Sequence, residues 1–132
     1  NVDYAIILLS HLGEASGPIS AQEMSSHYHL PQPMIANILK QLAASQLVGS
    51  TRGVQGGYVL QRQADQISLA EIVRVIDGPF NFVECAHEAS ECRVSATCPT
   101  RTPLQALHGR LYEFMESVTL ENLIQHHALQ PV

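Results

Sequence analysis

The sequence predicts a mainly α-helical chain built around a winged helix-turn-helix. That unit is expected over 1–78 with its wing at 47–60, followed by a cysteine-bearing loop at 79–102, a long C-terminal dimerisation helix at 103–125 and a tail at 126–132. Three observations carry this expectation. Ser20-Ala-Gln-Glu23 and Ser68-Leu-Ala-Glu71 are capping boxes, which mark helix starts. A Gly-rich stretch between two short β-patterned runs follows a pair of closely spaced helices. The cysteines all fall where helical periodicity disappears.

Taken in order, Val2 to Leu12 is almost continuously apolar, with Asp3, Ser10, His11 and Glu14 on one side of a helical wheel. A buried helix with one wet stripe is expected there. Gly13 to Pro18 breaks it, and Ser20 opens a second, short helix. Pro31 and Pro33 suit the first turn of a third, where no intrahelical N–H is needed. Behind them Met34, Ile35, Ile38, Leu39 and Leu42 recur at helical spacing, leaving Gln32, Ala36, Asn37, Lys40 and Gln41 on or beside the outer face. Two short helices joined by a tight turn, the second polar outside, form the helix-turn-helix pattern.

From Leu47 to Leu60 the period changes to two short strands around Gly53, Gly56 and Gly57. A phosphate-cradling loop would need a Gly-Lys-Ser/Thr ending and a following helix, and neither is present. Ser68 opens a helix through Ile72, Val75 and Ile76 that Asp77-Gly78-Pro79 stops. Leu104, Leu107, Leu111, Phe114, Met115, Val118 and Leu123 then resume a helical pattern. So apolar a helix needs a partner, either a second copy or its own domain, and the second copy is expected.

Composition narrows the class. The 132 residues suffice for one domain with a real core. Hydrophobic residues make up 45% and charged ones 14%, which argues against disorder. No apolar run approaches the roughly 18 to 20 residues of a membrane span, and no basic stretch precedes an apolar one at the start. Neither membrane nor export is expected. Three cysteines cannot complete an intrachain disulfide framework, so a cytoplasmic location with free thiols is expected. The net charge of −5 argues against a nucleic-acid partner until its distribution is considered. Residues 1–62 are neutral, and the whole excess lies in 63–132. One half can therefore meet a polyanion that the other avoids.

Cys85, Cys92 and Cys98 are spaced too loosely for the tight cysteine pair of a structural zinc site. Longer arcs of thiolates suit an iron-sulfur cluster, with one coordination position left to another residue or to solvent. Thiol redox chemistry, zinc, or no function for the cysteines remain alternatives. A thiol enzyme using Cys85 with His87 is not expected, because there is no Cys-x-x-Cys motif and no evident oxyanion device. No small-molecule substrate is expected either.

Asp3-Tyr-Ala, the helix-turn-helix, Arg52-Gly-x-x-Gly-Gly-Tyr58, Asp77-Gly-Pro and three spaced cysteines before a long helix together resemble the IscR/NsrR (Rrf-two) family of bacterial winged-helix iron-sulfur regulators. The resemblance covers essentially the whole chain. Gly78-Pro-Phe, Glu84-Cys85 and Ser117-Val-Thr-Leu120 are most similar to regulators of the SUF iron-sulfur cluster assembly system. It implies a homodimeric repressor on palindromic double-stranded operator DNA, sensing cluster supply or redox state through a labile 2Fe-2S or 4Fe-4S cluster. A nitric oxide or thiol-redox sensing repressor of the same fold is the other reading. IscR-type members place a His three residues after the third cysteine, a position held here by Arg101. NsrR-type members use an Asp from the opposite subunit within the Asp-Tyr-Ala motif. The resemblance therefore implies Asp3 of the partner as fourth ligand beside Cys85, Cys92 and Cys98, with His87 and His108 as fallbacks. Family members carry several residues ahead of that motif, often basic.

For DNA, Arg52 suits a narrow minor groove, flanked by Gly53, while Ser50, Thr51 and Gln55 can bond phosphates. Gln32, Asn37, Lys40 and Gln41 can read major-groove edges or contact phosphates. So few basic residues imply modest non-specific affinity and a shallow salt dependence.

Overall fold

The computed structural model describes residues 1–80 and 99–125. Helix α1 (Val2–Glu14) turns Ala5, Leu8, Leu9 and Leu12 into the core. Asp3 and Glu14 stay exposed and Ser10 and His11 half-exposed, as the wet stripe requires. Helix α2 (Ala21–Tyr28) begins at Ser20, whose hydroxyl accepts the Glu23 N–H at 3.0 Å. Such a cap contributes about 1 kcal/mol. A tight turn leads to α3 (Gln32–Ala44), with Pro31 at its N-cap and Pro33 in its first turn. Ile35, Ile38, Leu39 and Leu42 are buried, the face that the spacing predicts.

The wing is an antiparallel hairpin of β1 (Val48–Thr51) and β2 (Gly57–Leu60), with Val48 opposite Leu60 and Thr51 opposite Gly57. A third stretch of extended chain, absent from the sequence expectation, joins its edge. Ile19 pairs with Tyr58 through two backbone bonds, Ile19 N–H to Tyr58 O at 3.1 Å and Tyr58 N–H to Ile19 O at 2.8 Å. The wing is thereby fastened to the chain entering α2.

After a short 3-10 turn (Ala64–Gln66), α4 (Leu69–Asp77) starts at Ser68, whose hydroxyl accepts the Glu71 N–H at 3.1 Å. The Glu71 carboxylate does not complete a reciprocal box. It pairs with the Arg62 guanidinium, which also donates to the Gln66 carbonyl, so the exit from the wing is tied to α4.

One expectation is corrected. The helix expected over 103–125 is two helices, α5 (Arg101–Ser117) and α6 (Leu120–Gln125). The chain leaves the helix at Val118 and Thr119 because the distant segment at 67–69 offers backbone partners there. Leu69 N–H donates to Val118 O and Leu120 N–H donates to Ile67 O, each at 2.8 Å, a short strand-like pairing with the segment ahead of α4. Thr119 and Asn122 then cap α6 reciprocally, Asn122 N–H to Thr119 Oγ1 at 3.1 Å and Thr119 N–H to Asn122 Oδ1 at 3.0 Å.

The core is shared by α1, α2, α3, the start of β1, Ile67, Ile72 and Leu120. Helix α5 buries no residue, and its Leu107 and Phe114 are 42% and 53% exposed. Its own protomer thus provides only part of the partner that so apolar a helix requires.

Candidate nucleic-acid interface and thiolate segment

The face of α3 opposite the core carries Gln32, Ala36, Asn37 and Lys40, all exposed, with Gln41 half-buried at its side. Ser50, Thr51, Arg52, Gly53 and Gln55 are exposed on the wing. The turn between the strands is closed from within. Gly53 adopts φ 119°, a region favouring glycine, and its carbonyl accepts the Gly56 N–H at 3.0 Å. The Thr51 hydroxyl accepts the Gly57 N–H at 3.2 Å, so this side chain shapes the wing as well as being presented by it. Val54 is fully exposed at the tip and was missed by sequence reasoning; an apolar residue inside a Gly-rich turn was its only signal.

Electrostatics favour a polyanion on this part of the molecule. Between Glu23 and Asp65 there is no acidic residue, and Lys40 and Arg52 lie within that interval, followed by Arg62. A chain of net charge −5 therefore keeps its carboxylates off the α3 and wing segment. Because the fold fixes α3 through four buried side chains, its polar residues are carried on a rigid element.

The proposed ligands divide into those the structure places and those it does not. Cys85, Cys92 and Cys98, with His87, lie outside the described residues. Asp3 sits in the first turn of α1 with its side chain 75% exposed, so a second subunit can reach its carboxylate. Arg101, where IscR-type members have a His, opens α5 and is exposed. His108, half-buried on α5, stacks on Phe80 with ring centroids 5.3 Å apart and planes 13° from parallel. The pair lines a small cavity with Arg74, Pro79 and Tyr112. Among the described residues no three His, Cys, Asp or Glu side chains are gathered to hold a metal ion. As residue types, three cysteine thiols and one carboxylate are donors of the kind an iron-sulfur cluster takes. No helix among the described residues is long and apolar enough to cross a membrane.

The family model described as Rrf2, iron-dependent transcriptional regulator, matches residues 1–126. The HTH-type transcriptional regulator IscR of Sodalis glossinidius is 26% identical over 121 residues, spanning 92% of this chain and 73% of that protein. Among solved structures, CymR, the global cysteine regulator of B. subtilis, superposes with a TM-score of 0.76 at 25% identity, over 95% of this chain and 93% of that one. IscR of T. potens superposes with a TM-score of 0.69 at 25% identity, over 99% and 87% of the two chains.

Proposed function

The chain belongs to the Rrf2 family of iron-dependent transcriptional regulators, and from that premise we propose that it is a homodimeric repressor of iron-sulfur cluster assembly genes. Its relatives are transcriptional regulators, not enzymes. In this proposal the α3 helices of a dimer read successive major grooves of a palindromic operator and the wings reach the flanking minor grooves. Gln32, Asn37, Lys40 and Gln41 would contact base edges or phosphates. Ser50, Thr51 and Gln55 would hold the backbone, with Arg52 entering the groove beside Gly53.

The observation that carries the sensing half is the place of the thiols. All three fall in the span between α4 and α5, and α5 buries none of its residues in its own protomer. Cys85, Cys92 and Cys98 of one protomer with Asp3 of the other would hold a 2Fe-2S or 4Fe-4S cluster. When bound, it supplies a group sensitive to oxygen, nitric oxide and iron supply. Donors drawn from both subunits make dimer geometry depend on occupancy. The two relative placements of the α3 helices then differ in population with it.

The deciding experiment is the visible absorption spectrum and iron content of anaerobically prepared protein, followed by operator binding with and without iron. A colourless, iron-free protein with all thiols reduced would sink the proposal. The likeness to CymR, a cysteine regulator, favours one second reading, in which the thiols themselves are the redox sensor. That reading requires iron-free protein whose DNA affinity changes reversibly with thiol oxidation.

Two substitutions separate the halves. Asp3→Ala should speed iron loss by at least about ten-fold, the scale of losing a group around a metal, while leaving apo-protein folding intact. Unchanged iron retention would remove the cross-subunit ligand. Arg52→Ala should weaken operator binding by about ten-fold or more, the usual effect of losing one groove contact, with the spectrum unaltered. An unchanged affinity would remove the wing from the interface.

A further inference from the structure

Three rings meet where the C-terminal ends of α1 and α2 approach each other. His11 Nδ1 lies 2.7 Å from the Tyr28 hydroxyl, a partly buried contact between residues 17 apart in sequence. The ring of His27 packs edge-on against both, 5.1 Å from His11 and 4.7 Å from Tyr28 between centroids. Among the described residues this is the side-chain hydrogen bond that joins α1 to α2. The Tyr28 phenol is pushed above its ordinary value of 10.0 by burial and by the Glu14 carboxylate. Its O–H therefore persists across the neutral range.

Helix α2 has one fully buried residue, Met24, with Ala21 and Tyr28 partly buried against the same core. So shallow a seat leaves the Tyr28 end of the helix to be held by its own side-chain contacts. Tyr28 is the last residue of α2, and the connection from it to α3 has little slack. His29 takes a left-handed conformation, Leu30 N–H donates to Ser25 O at 3.2 Å, and Ser25 Oγ donates to Leu30 O at 2.6 Å. Pro31 then caps α3 directly. A displacement of Tyr28 is thus carried into the first turn of α3, where Gln32 stands.

We propose that Tyr28 is a positioning residue for operator recognition: its hydroxyl bond to His11 fixes the rotation of α2, and with it the start of α3, relative to α1. His27 supports the bond by packing against both rings. The proposal rests on the operator-binding reading, and its test keeps the two apart.

A duplex is first selected by the wild-type dimer from a randomised pool, and a scrambled duplex of the same composition serves as the non-specific probe. Tyr28→Phe and His11→Phe should each lower affinity for the selected duplex by about five-fold, the scale of one net hydrogen bond. The double variant should lose no more than either single one, because both remove the same contact. Affinity for the scrambled duplex should stay constant, a split that general loosening of the fold would not produce. His11→Gln, which keeps a hydrogen-bonding partner for the phenol, should restore most of the specific affinity. Wild-type affinity in Tyr28→Phe, or penalties that multiply in the double variant, would overturn the proposal. If the wild-type dimer selects no duplex, the operator reading itself fails and the proposal falls with it.

Discussion

Replacing Gly57 by alanine is expected to destabilise the fold by about 3 kcal/mol, from the loss of two backbone hydrogen bonds and the shift of main chain around them. The added Cβ would stand 2.5 Å from the carbonyl carbon of Ile19, 2.6 Å from its oxygen and 2.8 Å from the Ser20 nitrogen. None of these atoms belongs to a flexible side chain, so relief must come from separating the Ile19 strand from Tyr58. The same movement would disturb the Ser20 cap that starts α2. The melting temperature should fall by about 10 °C or more, with operator affinity falling as the wing loses its anchor. Gly49→Ala is the control. Its Cβ meets the side chain of Gln61, which can move away, and it should change stability little. Equal melting temperatures for the two variants would show that the Ile19 to Tyr58 pairing does not hold the wing.

If the proposed ligand set holds the iron, the second large effect is expected from Cys92→Ala, which should abolish iron binding and visible absorption outright. Two remaining thiolates and one carboxylate cannot retain a cluster normally tied by four donors. The fold should be almost untouched. Every buried core residue among the described ones lies between Ala5 and Ile72 or between Val118 and Leu120, outside the cysteine span. The iron-free variant should therefore unfold at the same temperature as iron-free wild type, and its operator affinity should no longer respond to iron supply. Full retention of iron would remove Cys92 from the ligand set. A DNA response that survives iron removal but disappears in this variant would favour direct thiol sensing.

What was legible in the sequence is what local physics controls. The capping serines, the prolines at the start of α3 and the apolar faces of α1 and α3 express themselves within a few residues, and the structure follows them. The failures are of another kind. Glu71 was expected to return to its own helix start, but Arg62, nine residues earlier, offers a charged partner that a local pattern does not weigh. Ser117 to Leu120 continues a helical apolar period, so nothing nearby announces the break. The partners that cause it, Ile67 and Leu69, lie about fifty residues away in sequence. The His11 to Tyr28 bond is likewise non-local. For the site, residue types and spacing supplied candidates for a reading face and for thiol ligands, and the structure adds that Asp3 and the wing residues are exposed. Val54 escaped because exposure at a turn tip is a property of the fold rather than of the residue.

The pairing of Val118 and Leu120 with the chain at 67–69 has one more effect, mechanical in kind. It pins the C-terminal end of α5 to the same core that carries α3, while the other end begins three residues beyond Cys98. At 1.5 Å per residue, the 17 residues of α5 make an arm of about 25 Å. Pinned at Val118 and Leu120 and stacked on Phe80 through His108, such an arm turns a displacement near its N-terminal end into rotation rather than into sliding along its axis.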